Sequence, residues 1–430
     1  MIDHPHTLIP HAELIANLIF AGVYILFIWE RFPKVVVALL GASAVMILGI
    51  LPQEQALHHV DFNVIALLVG MMIIVNIVKQ TGAFEWLAYA TARLSRGRGG
   101  VLMVMLCMIT AICSAFLDNV TTVLFMASIS CALAEKLRIN PIPLLISEVI
   151  VSNIGGTATL IGDPPNILIA SGAGLSFNDF LIHIAPVIAV ILPVALGTLY
   201  LIYRNQLQIS PETRSLLADM SLEGVIRDRR LLIVSGLVLS LVLSGFVLHH
   251  AIHLEVGTIA LAGASVLMLF EDPKSIWDDV EWDTIFFFIG LFIIVGAVDQ
   301  VGTLDYLGNL LFQLTNGNFP LIAMTLLWVS GILSAVIDNI PYTATMIPLV
   351  QNLASHYNNI QPLWWALSLG ACLGGNGSLI GATANVVAAD IAAYKCGQRI
   401  GFFQFMAVGA VIMLESLAIA SLYLWWRYLA

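Results

Sequence analysis

The chain has 430 residues, 60% of them hydrophobic and only 10% charged, with 17 Lys and Arg against 27 Asp and Glu for a net charge of −10. A soluble protein of this length needs roughly 25% charged residues to coat its surface, so the composition excludes a soluble globular enzyme and any basic nucleic-acid binder. Most of the surface must face lipid.

Apolar stretches recur along the chain, near the length of about 20 residues that crosses about 30 Å of hydrocarbon at about 1.5 Å per residue. In order they are 14–30, 35–51, 62–78, an interrupted 143–172, 181–203, 231–248, 255–270, 284–298, an interrupted 362–393 and 402–426. Two more, 101–135 and 320–353, have polar breaks in their middles and read as hairpins that enter and leave on one face. The first span has Asp3 and Glu13 before it and no basic leader, so it reads as a retained span and not a cleaved signal. The five cysteines are odd in number. They lie mostly in apolar segments and read as reduced core residues, with Cys113, Cys131 and Cys372 as small packing groups.

Basic residues mark the orientation. Arg31 and Lys34, then Lys79 to Arg98, Lys136 and Arg138, Arg204 to Arg230, Lys274, and Lys395 and Arg399 fall in alternate connections. With those connections cytoplasmic, only Arg427 lies outside, and both termini lie outside after ten crossings of a bacterial inner membrane. The histidines gather at the opposite connections, as interfacial chemistry.

Shifting the sequence by 220 aligns Ser114-Ala115-Phe116-Leu117-Asp118-Asn119 with Ser334-Ala335-Val336-Ile337-Asp338-Asn339, and Gly70, Gln80 and Gly82 with Gly290, Gln300 and Gly302. After a one-residue slip Leu160-Ile161-Gly162 meets Leu379-Ile380-Gly381, and Asn166 meets Asn385. Span 62–78 and its counterpart 284–298 run in opposite directions, so the halves read as an inverted repeat, the signature of alternating-access transporters. The expected organisation is a first repeat over 1–203, a cytoplasmic linker over 204–230 and a second repeat over 231–430.

Four breaks carry the chemistry. In hydrocarbon, irregular backbone survives only when buried in protein or facing a water-filled cavity. The Asp118-Asn119 and Asp338-Asn339 turns should start the returning arms of the two hairpins. Gly155–Asn166 and Gly374–Asn385 should be unwound joints between half-helices, because glycine and proline there interrupt a helix. Asp118, Asn119, Thr121, Thr122, Thr157, Thr159, Gly162, Asn166, Asp338, Asn339, Thr343, Gly377, Ser378, Thr383 and Asn385 are the candidate binding and coupling residues, with Asp163 and Glu148 as proton-relay candidates and Glu415 weaker. Asp and Asn are also good helix caps, and Gly/Thr runs serve packing. An aspartate in a membrane costs about 2.5–3.5 kcal/mol on insertion scales, so two at matching positions suggest use. Arg227, Arg229 and Arg230 read as holding the linker inside. No GxxxxGK[ST] loop is present, so the chain does not itself hydrolyse ATP, and no cofactor is expected.

SAFLDNVTT (Ser114–Thr122), SAVIDNIPYTATMIPLV (Ser334–Val350) and GGTATLIGDPPN (Gly155–Asn166) resemble the arsenite-permease and sodium/proton-antiporter branch of the ion transporter superfamily. That superfamily also holds the melanosomal P-protein and, more distantly, dicarboxylate and citrate carriers. The resemblance spans about residues 60 to 400 and implies an elevator, in which a transport domain of hairpins and broken helices slides on a scaffold. GNGSLIGATAN in the second half lacks the Asp-Pro-Pro of the first. Dicarboxylate carriers place Ser-Asn-Thr at the hairpin tips, whereas an aspartate about 4 Å from a carboxylate repels it by several kcal/mol. Proton-coupled efflux of arsenite or antimonite, neutral trihydroxides whose protons Asp, Asn and Thr can accept, is the leading expectation. A sodium/proton antiporter, with Asp118 and Asp338 as ion ligands, is the alternative, and a subunit driven by a separate ATPase docked on 204–230 is a third. Single cysteines at 100 and 137 should react with an impermeant reagent only from the cytoplasm, and those at 319 and 356 only from outside. Labelling of 356 from the cytoplasm alone would overturn the inverted arrangement.

Overall fold

A computed structural model describes residues 11–29, 31–210, 222–271 and 273–430. Asp3 and Arg214, with the centre of the linker on which an ATPase was expected to dock, lie outside the described residues. All regular structure among the described residues is helical. The first eleven helices are α1 Ala12–Trp29, α2 Lys34–Ile47, α3 Gln53–His58, α4 Phe62–Gln80, α5 Ala83–Leu94, α6 Gly99–Phe116, α7 Asn119–Leu137, α8 Ile142–Thr157, α9 Pro164–Ala173, α10 Phe177–His183 and α11 Ala185–Tyr203. After the linker come α12 Arg229–Ile252, α13 Val256–Leu267, α14 Pro273–Asp278, α15 Trp282–Gln300, α16 Thr303–Leu314, α17 Phe319–Ser334, α18 Asn339–Leu353, α19 Gln361–Gly374, α20 Thr383–Tyr394 and α21 Phe402–Leu424. Among the described residues eight helices are long and apolar enough to cross a membrane, and α2, α8, α13 and α17 are shorter apolar helices. The apolar run 181–203, expected as one span, divides at Ile184. Ser176 and Asp179 form a capping box that starts α10 separately, and a proline opens α11.

Every residue of α8 and all but the first of α19 are buried. α6 packs along α8 and α17 along α19, and each returning arm crosses to the other half of the chain, α7 to α20 and α18 to α9. Outside this centre α4 packs on α13 and α15 on α2. These approaches are close because a small residue sits at each contact. A Cβ on Gly70 would lie 2.6 Å from the Ala260 carbonyl carbon, and one on Gly290 2.8 Å from that of Ala38.

The four breaks are stitched in matching ways. The Asn119 amide donates to the Gly162 carbonyl at 3.1 Å, and that of Asn339 to Gly381 at 3.2 Å. Ser114 Oγ donates to the Ser152 carbonyl at 2.7 Å, and Ser334 Oγ to Ala371 at 2.6 Å. The Asn166 side-chain amide bridges the carbonyls of Thr157 and Thr159, and that of Asn385 those of Gly375 and Ser378. With no water to turn to, broken backbone needs such internal partners. Arg227 does more than hold the linker: it bonds Glu85 at 3.0 Å on an exposed face, beside its loop charge.

The cysteine expectation needs correcting. Cys131 and Cys396 form a disulfide, their Cα atoms 5.5 Å apart, while Cys107, Cys113 and Cys372 are free. The two are 265 residues apart in sequence, and only the packing of α7 on α20 brings them together. Peptide mapping without reductant should recover a linked pair containing Cys131 and Cys396; alkylation of all five thiols would contradict it. A Cβ on Gly162 would lie 2.5 Å from the Ser114 carbonyl oxygen, and one on Gly381 2.7 Å from that of Gly375. Gly162→Val and Gly381→Val should therefore abolish transport with the chain still inserted. Gly162→Ala should cost about 2 kcal/mol or more, read as a drop in thermal midpoint, whereas Gly236→Ala on α12, with nothing within 4 Å, should leave the midpoint unchanged or raise it. Full activity in both valine variants would mean the joints are ordinary packed helix.

Candidate functional site

Leu117 and Ile337 end one arm of each hairpin, and the aspartates after them cap the next helix. Thr121 donates to Asp118 Oδ2 from its backbone at 2.8 Å and its hydroxyl at 2.9 Å. The Ile340 amide donates to Asp338 Oδ1 at 3.0 Å. The capping reading holds for both, because a carboxylate accepts the otherwise orphaned amides of a first turn.

Beyond capping the two aspartates differ. Asp338 Oδ2 also accepts Thr383 Oγ1 at 2.7 Å and Lys34 Nζ at 2.8 Å. The Asp338 side chain is 3% exposed and that of Lys34 24%. Sequence reasoning counted Lys34 only as a loop charge. Pro33 at the start of α2 gives it the appearance of a loop residue, and nothing local says that the loop edge faces a cavity.

Asp163 opens α9 and is fully buried. It accepts Asn119 Nδ2 at 3.1 Å and Asn339 Nδ2 at 3.4 Å, so the asparagines of both tips converge on one carboxylate. Asn153, which sequence reasoning missed, extends this network. Its amide donates to Asn376 and Asn385, both at 2.9 Å, and its carbonyl accepts Asn119 at 3.2 Å. Mid-helix in an apolar run, it carries no local signal. The Asn119 Oδ1 and the hydroxyls of Thr122 and Thr343 are buried without a partner, which is uncommon for buried polar atoms.

The other candidates hold the frame. Thr157 bonds the Asn153 carbonyl at 2.7 Å, Thr159 bonds Ala115, and Ser378 bonds Ala335. Ser368 Oγ donates to Asn166 Oδ1 at 2.7 Å. Gly377 packs against Ala335 and Met413. Gly162 and Gly381 lie in the joints and are covered by neighbouring backbone. Glu148 is buried and bonded by Ser130 Oγ at 2.5 Å, apart from the tips. Glu415 accepts from Thr198 at 2.9 Å.

A cavity of about 660 Å³ opens at the basic end of the molecule, lined by Arg31, Lys34, Asp118, Glu281, Thr383 and Asp390 among others. Acidic groups outnumber basic ones on its wall. Glu281, the residue before α15, accepts Thr284 Oγ1 at 3.1 Å, and burial, then the Asp118 charge, push its carboxyl up to about 7. At the opposite end the Ser171 hydroxyl bonds the Asp61 carboxylate, and Gln351 Nε2 donates to the Gly172 carbonyl at 2.7 Å. Two smaller cavities of about 580 and 230 Å³ flank that closure. Among the described residues no group of three or more His, Cys, Asp and Glu is placed to hold a metal ion.

Residues 24–370 match the family described as Citrate transporter. An uncharacterized transporter of Mycobacterium bovis is 43% identical over 97% of this chain and 99% of its own length. The P protein of Mus musculus is 37% identical over 95% of this chain, which corresponds to 59% of that longer protein. The crystal structure of the Alcanivorax borkumensis YdaH transporter shares the fold, with a TM-score of 0.59 at 13% identity over 97% of this chain and 99% of that one. This chain therefore belongs to the citrate transporter family, as a multi-pass secondary transporter of the membrane and not an enzyme.

Proposed function

We propose that the chain exchanges sodium, or a cation of similar size, for protons by alternating access, with its basic end facing the cytoplasm and its halves acting as an inverted repeat. The observation that carries this reading is the Lys34–Asp338 ion pair, whose lysine lines an open cavity with more acidic than basic groups and whose aspartate lies buried behind it. Asp338 is a cation site already holding an internal cation. An ion entering from the cavity competes with the Lys34 ammonium for the same carboxylate oxygen, and Asp118 offers a second carboxylate on the cavity wall. The acidic wall disfavours a bare citrate trianion, since like charges about 4 Å apart repel by about 4 kcal/mol at an effective dielectric near 20.

Each returning arm packs against the half-helix of the other half, and both tip asparagines hold Asp163, so the hairpins and broken helices form one block. That block is the proposed moving domain, and α1, α2, α4, α12, α13 and α15 the frame beside it. In a one-for-one exchange the membrane potential acts equally on both ions and cancels, and each pH unit supplies about 1.4 kcal/mol, which balances a tenfold cation gradient.

A second reading is efflux of arsenite or antimonite. It draws on the unpartnered Asn119 Oδ1, Thr122 and Thr343 oxygens, acceptors suited to a neutral trihydroxide. Purified protein in liposomes separates the two. A sodium jump should shift an internal pH dye, with no ATP present. Asp338→Asn and Asp118→Asn should each cut that exchange by on the order of tenfold, about 1.4 kcal/mol. Lys34→Gln should raise the apparent affinity for sodium, because the competitor is gone. If sodium moves no protons and a pH gradient drives arsenite instead, the antimonite and arsenite reading replaces this one.

A further inference from the structure

The closure at the histidine end has a counterpart that is open. Asp61, the cap of α4, lies 220 residues before Glu281 at the start of α15, and Ser171 on α9 lies 219 before Asp390 on α20. These are the offsets at which the hairpin tips and joints match. Asp61 and Ser171 are bonded, while Glu281 and Asp390 both line the basic-end cavity. Reversing the two halves would bring Glu281 against Asp390, as Asp61 now meets Ser171.

The substitution of Asp for Ser changes the physics of that contact. A serine hydroxyl can donate to a carboxylate, but two ionised carboxylates in contact repel and exclude each other's charge. Closing this end therefore requires a proton or a cation between them. The charged groups facing the pair across the cavity are Arg31, Lys34, Asp118 and Asp283.

Lys34 is placed for the task. Ala38 lies against Gly290 and Gly41 against Ile294, so α2 and α15 run in the same direction, with Lys34 level with Phe286. Glu281 is five residues below, about 7.5 Å along the helix, toward the cavity mouth and within range of a flexible four-carbon stem. At the other end Ala260 lies against Gly70, so the residue matching Lys34 is Val256. Of these two matching positions, the lysine is at the end whose closing pair carries two carboxylates.

We infer that Lys34 changes partners during the cycle, bonding Asp338 while the basic end is open and bridging Glu281 and Asp390 when that end closes. This rests on the alternating-access reading above. Lys34 is then a positioning residue of the gate: the ion that takes Asp338 releases the ammonium needed to close the cavity behind it. Substrate binding and closure become one event, and an empty carrier keeps the basic end open.

The test reads the accessibility of single cysteines in a functional background with the native cysteines replaced. Val387→Cys reports on the basic-end cavity and Leu175→Cys on the opposite one. Rates of labelling by an impermeant maleimide are measured in membranes of each orientation, with and without sodium. Sodium should slow labelling at 387 and speed it at 175. Lys34→Gln should hold 387 open, labelling severalfold faster than the parent with sodium present. Adding Asp390→Ser should return the rate toward the parent value, because serine recreates the pairing of Asp61 with Ser171. Asp338→Asn should do the opposite of Lys34→Gln and slow labelling at 387 without sodium. If Lys34→Gln closes the cavity, or if Asp390→Ser fails to offset it, the partner exchange is wrong. If parent and Lys34→Gln both close equally on acidification alone, a proton and not Lys34 fills the gate, which also overturns it. If rates at 387 and 175 never move in opposite directions, alternating access itself fails, a result distinct from loss of the Lys34 effect alone.

Discussion

Hydrocarbon supplies no hydrogen bonds, and this controls how the chain can be built. A helix that stops halfway leaves carbonyls and amides that must find partners inside the protein. Here each hairpin tip supplies them to the joint beside it: Asn119 to Gly162 and Asn339 to Gly381, with Asn166 and Asn385 tying the loop carbonyls. Those bonds demand that tip and joint touch, which in turn demands glycine at the contact and buries α8 and α19 on all sides. The position of every candidate site residue follows from that arrangement.

Charge is then distributed unevenly over a frame that is nearly even. Asp118 and Asp338 both cap their helices, but among the described residues Asp338 is the one bonded to a lysine. Both tip asparagines turn to Asp163, whose counterpart in the second half is Ala382. A single buried carboxylate shared by two amides joins the tips into one unit. The difference between Ser171 and Asp390 places extra negative charge at one end, and the difference between Val256 and Lys34 places a cation beside it. These substitutions make the two ends differ in charge on matching elements.

The local chemistry of the sequence settled much of this. Sixty per cent hydrophobic composition required lipid-facing helices. The Asp-Asn turns and the Gly-rich joints named the helix breaks to within a few residues, since glycine, proline and capping side chains act on the backbone next to them. The offset between halves anticipated which contacts would recur, and the aspartates were legible as caps because capping is a property of three consecutive residues.

What the tertiary structure alone decided were meetings between residues far apart in the chain. Lys34 reaches Asp338 across 304 positions, Asn153 joins Asn385 across 232, and Cys131 pairs with Cys396 across 265. A lysine at the edge of an apolar run has the same local sequence whether it faces water or a cavity, and an asparagine mid-helix reads the same whether it meets a partner or a lipid. The packing of α2 on α15, of α8 on α20 and of α7 on α20 selects among these, because burial and pairing depend on which surfaces meet and not on the residues alongside.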